Sequence, residues 1–282
     1  MGYLILAVIF QVLMSLWLKW GETRNQHRMM LMTVNYAVAT FISGVLWWAQ
    51  GAPVPEPVTW WLGLLGGITY TLSLLLWMIA IAGSGLGIAT SSMRLSVVWP
   101  TLVSMLVFSE IPNLAQMTGV ALAFVVLGLL ATHAIRRHVG SIGGGELVPL
   151  LLLFCFHGGV GLTQKMFTEY GHVEQRMGLL MIIFGVSLVL TAGVVVWQRA
   201  PLSGGDLLRG GVFGGGNILT NFMLLKGLAR VPGVIAFPFS NVSVIVLASL
   251  AGWLIWKEQM GRTGLMVVGL SAIAIALMTL DY

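Results

Sequence analysis

Runs of about twenty apolar residues, the length a helix needs to cross a bilayer, follow one another along nearly the whole chain. Ten are counted, at roughly 2–20, 29–50, 58–82, 84–109, 112–135, 146–168, 176–197, 206–228, 231–256 and 260–280. The connections are short and rich in turn-forming residues: GAPVPEP at 51–57, GSGLG at 83–87, EIPN at 110–113, RAPLSGGD at 199–206 and RVPG at 230–233. Only 8% of the 282 residues are charged, too few to cover a soluble surface. The 36 glycines and 11 tryptophans fit membrane helices and their interfacial belts. The expected fold is an all-α membrane protein with ten transmembrane helices. The opening MGYLILAVIF has no basic residue and no small-residue cleavage site, so it is expected to be the first helix rather than a removed signal.

The longest polar stretch, RRHVGSIGGGE at 136–146, falls at the midpoint and points to an internal repeat. Phe10 and Phe156, Lys19 and Lys165, and Gly87 and Gly233 are each separated by 146 residues. Glu110 and Glu258, after the fourth and ninth spans, are separated by 148. Each half then holds five spans, 1–138 and 139–282, and an odd number places the second half upside down relative to the first. Inverted repeats are a common transporter plan, with the substrate site near the midplane.

FSEIPNLAQMTGVALAFVVLGLL closes the first half and WKEQMGRTGLMVVGLSAIAIALM the second. In each, a Glu at the end of the fourth repeat span (Glu110, Glu258) precedes a glycine-containing fifth (Gly119 and Gly128, Gly264 and Gly269). With five plus five spans, the whole chain resembles the drug/metabolite transporter superfamily, EamA type. That resemblance implies a ten-helix exporter or exchanger of small metabolites in a bacterial or archaeal cytoplasmic membrane. It also implies a central cavity lined by the third, fourth, eighth and ninth spans, and termini in the cytosol. Loop charge points the other way. Arg24, Arg28, Arg136, Arg137, Arg199, Arg209, Lys257 and Arg262 fall on one side, against Arg176 and Arg230 on the other. The positive-inside rule therefore places both termini outside.

Arg94 lies within the apolar stretch IATSSMRLSVVWPTLVSMLVF, with Thr90, Ser91, Val98 and Thr101 at helical spacing beside it. An intramembrane charge faces protein or water and has a partner. A guanidinium suits a carboxylate or phosphate. The alternative is a structural pair with Glu22 or Glu110, or with carbonyls freed near a broken helix. Lys19 and Lys165 lie near span ends, where lysines snorkel to headgroups. Gln11, Ser15 and Lys19 share one face of the first span, and His157, Gly161 and Lys165 the matching face of the sixth. An unperturbed imidazole has a pKa of about 6.5, so His157 is the candidate proton relay, against a packing role. In the eighth span Asn217, Thr220 and Asn221 share a face, either toward substrate or as interhelical glue. Pro238 is expected to break the ninth span beside Ser240 and Asn241. Tyr70, Trp77 and Trp99 are placed to stack on a substrate, with lipid-facing packing as the alternative.

Several classes are disfavoured. Cys155 is the only cysteine, so an internal disulfide or thiolate cluster is excluded. The net charge of +5 is scattered singly rather than gathered into a nucleic-acid patch. No phosphate-binding, zinc-protease or nucleophile-elbow sequence is present, so neither catalysis nor ATP-driven pumping is expected, and no cofactor or metal. No Asp or Glu lies well inside a span, which argues against cation export. The expected function is a secondary transporter of a small zwitterionic or anionic metabolite such as an amino acid, working by alternating access. Its partners would be the metabolite and membrane lipid, with a proton or counter-substrate for coupling. A translocase of lipid-linked or phosphorylated metabolites and a non-transporting scaffold are the alternatives.

Overall fold

The computed structural model describes residues 1–21, 28–137, 144–257 and 261–280. Side chains at 18–21, 136, 137, 144–146 and 256 are outside that description, as are Glu22, Glu258 and the proposed repeat boundary at 138 and 139. The described chain is helical: α1 (Gly2–Gly21), α2 (Arg28–Ala49), α3 (Pro57–Leu95), α4 (Val98–Leu106), α5 (Leu114–Arg137), α6 (Gly144–Tyr170), α7 (Arg176–Trp197), α8 (Gly204–Leu228), α9 (Gly233–Trp256) and α10 (Arg262–Met278). Among the described residues, six helices are long and apolar enough to cross a membrane. α8 has the length, 25 residues, but carries Asp206, Arg209 and Lys226.

Local sequence sets the helix ends. Pro57 opens α3, where its missing N–H is no loss. Asn113 and Gln116 form a reciprocal box at the start of α5: the Gln116 N–H donates to Asn113 Oδ1 at 2.8 Å, and the Asn113 N–H to Gln116 Oε1 at 3.2 Å. Ser203 and Asp206 do the same for α8.

The third and fourth spans meet at Gly85, inside the expected GSGLG connection: the backbone leaves helical geometry there, at φ 81° and ψ 161°, and two helices join across a kink within Pro57–Leu95. Two proline positions differ from expectation. The fourth span, counted as one run from 84 to 109, is cut at Ser96 and Val97. Pro100 explains the cut, because its ring would collide with the carbonyl of Ser96 in a continuous helix. Pro238, expected to break the ninth span, lies in the second turn of an uninterrupted α9 and deprives only the Val234 carbonyl of a donor.

The chain divides into two compact units. The first comprises Gly2–Thr71 and Met166–Gly227, and the second Met1, Leu72–Lys165 and Leu228–Tyr282. α3 and α6 contribute residues to both.

In the first unit α2 packs on α7, and two glycine stripes bring other backbones close. A Cβ at Gly63 or Gly67 of α3 would stand 2.6 Å from Ile182 or Val186 of α7. One at Gly210 or Gly214 of α8 would stand 2.6 or 2.5 Å from the backbone oxygens of Leu31 or Asn35 of α2. Both are the small-xxx-small pattern of membrane helix contacts. In the second unit α9 packs on α4, α5 and α10, and α10 on α5.

Candidate anion-binding site

In the second unit α3, α4 and α6 gather four of the sequence candidates. Ser73 and Trp77 lie one turn apart on α3. Ser73 Oγ is 2.9 Å from His157 Nδ1 of α6, which fixes the imidazole plane. Arg94 lies on the last turn of α3. Trp99 of α4 is 39% exposed and sets its ring 5.8 Å from Phe154 of α6. α6 admits α4 through its small residues: a Cβ at Gly158 would overlap the Trp99 indole, and one at Gly161 would meet Pro100 at 2.9 Å. Trp77 packs beside Ile88, Leu150 and Leu153, and its buried indole N–H has no acceptor among the described residues.

Arg94 is half-buried, and among the described residues its guanidinium has neither an ion pair nor a hydrogen bond. Of the two acidic partners considered from sequence, Glu110 is committed to Lys165, and Glu22 lies outside the described residues. Arg94 and the Trp77 N–H are donors only, and His157 has a second ring nitrogen beyond its bond to Ser73. Donors of this kind suit an acceptor such as a carboxylate or phosphate; the contacts among the described residues join His157 to Ser73 and Trp99 to Phe154.

The other candidates are engaged elsewhere. Lys165 does not snorkel: it is 1% exposed and holds Glu110 at 2.5 Å. The side chain of its repeat-mate Lys19 lies outside the described residues. Ser240 Oγ donates to the Ala236 carbonyl at 2.7 Å and Asn241 Nδ2 to that of Phe237 at 3.2 Å, both within α9. In the first unit Tyr70, Asn217 and Asn221 form a polar network. The Tyr70 hydroxyl donates to Asn217 Oδ1 at 3.0 Å, Asn221 Nδ2 to the same oxygen at 2.8 Å, and Asn217 Nδ2 to Asn35 Oδ1 at 3.1 Å. Tyr36, Tyr70 and Phe184 pack ring against ring beside it. These amides act as interhelical glue. Gln11 is exposed on α1 and receives the Ser15 hydroxyl at its carbonyl.

Sequence reasoning missed Ser73, Phe154, Asn35 and the destination of Glu110. Ser73 had a usable signal, a hydroxyl one helical turn from Trp77. Asn35 had none, because a single amide in an apolar span does not reveal its partner.

No family model matches the chain. An uncharacterized protein of Haemophilus influenzae is 27% identical over 192 residues, 65% of this chain. The match spans 62% of that relative's length. A solved crystal structure, 16% identical, covers 100% of this chain and 99% of its own at a TM-score of 0.78. At that identity the likeness is one of fold, and it extends over the whole chain.

Proposed function

We propose that the chain is a secondary transporter of a small zwitterionic or anionic metabolite, built as two inverted five-span repeats in a bacterial or archaeal cytoplasmic membrane. The reading follows the resemblance to EamA-type drug/metabolite transporters. Arg94 carries it: a guanidinium inside an apolar helix, with no carboxylate of the described residues spent on it. Such a charge is costly to leave unmatched, and a substrate anion would match it.

The contacts of the first unit support the repeat. Gly63 and Gly67 of α3, which meet Ile182 and Val186 of α7, correspond to Gly210 and Gly214 of α8, which meet Val34 and Val38 of α2: the glycines are offset by 147 residues and their partners by 148. If the halves are related by a two-fold axis, repeat-mates touch each other only on that axis. Tyr70 bonds Asn217, 147 residues away, and Tyr36 stacks on Phe184, 148 away.

The test is uptake by reconstituted vesicles over a panel of labelled amino acids, organic acids and sugar phosphates, with Arg94→Ala and Arg94→Lys alongside the parent. The reading expects flux of at least one anionic or zwitterionic solute and its loss in both variants. Equal uptake by parent and Arg94→Ala would remove the anchor. Lipid scrambling without solute flux would replace transport with lipid translocation, and no flux at all from folded protein would leave a scaffold.

A further inference from the structure

We propose that Lys165, Glu110 and the first turn of α9 form a charge-held latch at one end of the second unit, and that opening it is the step that admits water to the Arg94 neighbourhood. The latch rests on the transport reading for its purpose, but not for its test.

Three helix ends meet there: the turn after α4, the late part of α6 and the start of α9. Glu110 uses both carboxylate oxygens. Oε1 takes Lys165 Nζ at 2.5 Å, and Oε2 accepts the Val234 N–H of α9 at 3.0 Å. Its own N–H donates to the Ser104 carbonyl of α4 at 3.1 Å. The Lys165 ammonium also stands 5.0 Å from the centre of the Phe108 ring. The carboxylate thus sits at the positive end of α9, where a helix favours negative charge. Ser109, with a left-handed φ of 53°, turns the chain so that Glu110 can reach. Gly233 completes the closure: a Cβ there would overlap Ser104 Oγ and stand 3.1 Å from Lys165 Cδ.

Chemistry makes this junction separable. Lysine is 1% exposed and the glutamate side chain 15%. A buried pair gains attraction but forfeits hydration, so it is near balance, and each charge regains its water when the pair parts. An apolar plug has no such compensation. The latch also has a definite relation to the site. His157 precedes Lys165 by eight residues on α6, about 12 Å along a helix. The helix that carries Arg94 leads directly into α4, whose end Glu110 ties down.

Ser104 is the reporter, because it is fully buried under the latch. In a Cys155→Ser background, Ser104→Cys is labelled with a small water-soluble maleimide in detergent and in vesicles. The comparison is with the same protein carrying Glu110→Gln and Lys165→Met together, which removes both charges of the pair at once. The expected result is slow labelling in the parent and labelling about tenfold faster or more in the double variant, with elution volume unchanged. Arg94→Ala is expected to label at the parent rate.

An unchanged rate in the folded double variant overturns the latch. So does aggregation of that variant, which would make the pair a structural brace, and so does equal acceleration by Arg94→Ala, which would mean general loosening. No substrate is involved, so Arg94-dependent uptake with an unmoved labelling rate sinks the latch alone, and faster labelling without uptake sinks the transport reading alone.

Discussion

Arg94 and Lys165 are two cations set in apolar helices of one unit, and their surroundings differ. Lys165 is enclosed and matched by Glu110, whereas Arg94 is half-buried with no matching carboxylate among the described residues. The first arrangement closes a charge pair, and on the proposed function the second would be matched by a substrate anion. Arg94→Lys keeps the charge but loses the planar fork. A charge-assisted hydrogen bond contributes about 1.5–3 kcal/mol, so competition binding of the transported anion should weaken roughly tenfold or more. For the matched pair the prediction concerns stability. Lys165→Met alone abandons a buried carboxylate and should cost about 3–5 kcal/mol in unfolding experiments, while adding Glu110→Gln should recover most of the loss. Sequence identified Arg94 through its cost in lipid. It misread Lys165, because proximity to a span end suggests snorkelling and cannot show that a glutamate 55 residues away closes over it. Asn217 and Asn221 were ambiguous for a related reason: an amide on an apolar face is equally suited to substrate and to a neighbouring helix, and only Tyr70 and Asn35 decide between them.

Helix positions were more legible than helix interruptions. Apolar length and the glycine and proline punctuators located most span boundaries, because lipid imposes length and turns impose residue type. Interruptions depend on finer conflicts. Pro100 cuts the fourth span and Pro238 leaves α9 whole, whereas Gly85 breaks helical geometry inside the GSGLG connection that the sequence marks. Gly85→Ala should therefore cost roughly 1–3 kcal/mol, read as a lower unfolding midpoint in detergent, because the new side chain cannot adopt that backbone without strain. The glycine stripes give a sharper contrast. Gly67→Leu should drive α3 off α7, and Gly214→Leu should drive α8 off α2, since backbone and branched side chains line both contacts. Gly211 has nothing within 4 Å of a built Cβ. Gly211→Ala should be neutral or stabilising by about 0.5–1 kcal/mol, as expected for a helix interior. A thermal-shift series on these variants separates packing glycines from permissive ones.

At the scale of the whole molecule, orientation turns on a conflict between loop charge and family likeness. The loop between α7 and α8 carries Arg199, and Arg209 follows on α8, whereas the loop between α6 and α7 carries His172 and Glu174, with Arg176 opening α7. Positive residues within a short loop resist translocation, and this bias acts on the chain's own residues during insertion whatever its ancestry. The α7–α8 loop should therefore be cytoplasmic and the α6–α7 loop external, which puts both termini outside. His172 and Leu202 are exposed positions on these two loops. In intact cells expressing a Cys155→Ser protein, a membrane-impermeant maleimide should label His172→Cys and spare Leu202→Cys until the cells are opened. The reverse pattern would put the termini in the cytosol, as the EamA resemblance implies, and would move the Lys165–Glu110 junction to the cytoplasmic face. On the proposed function, that junction is the closed end of the second unit, so the same labelling experiment also reports which compartment the proposed latch faces.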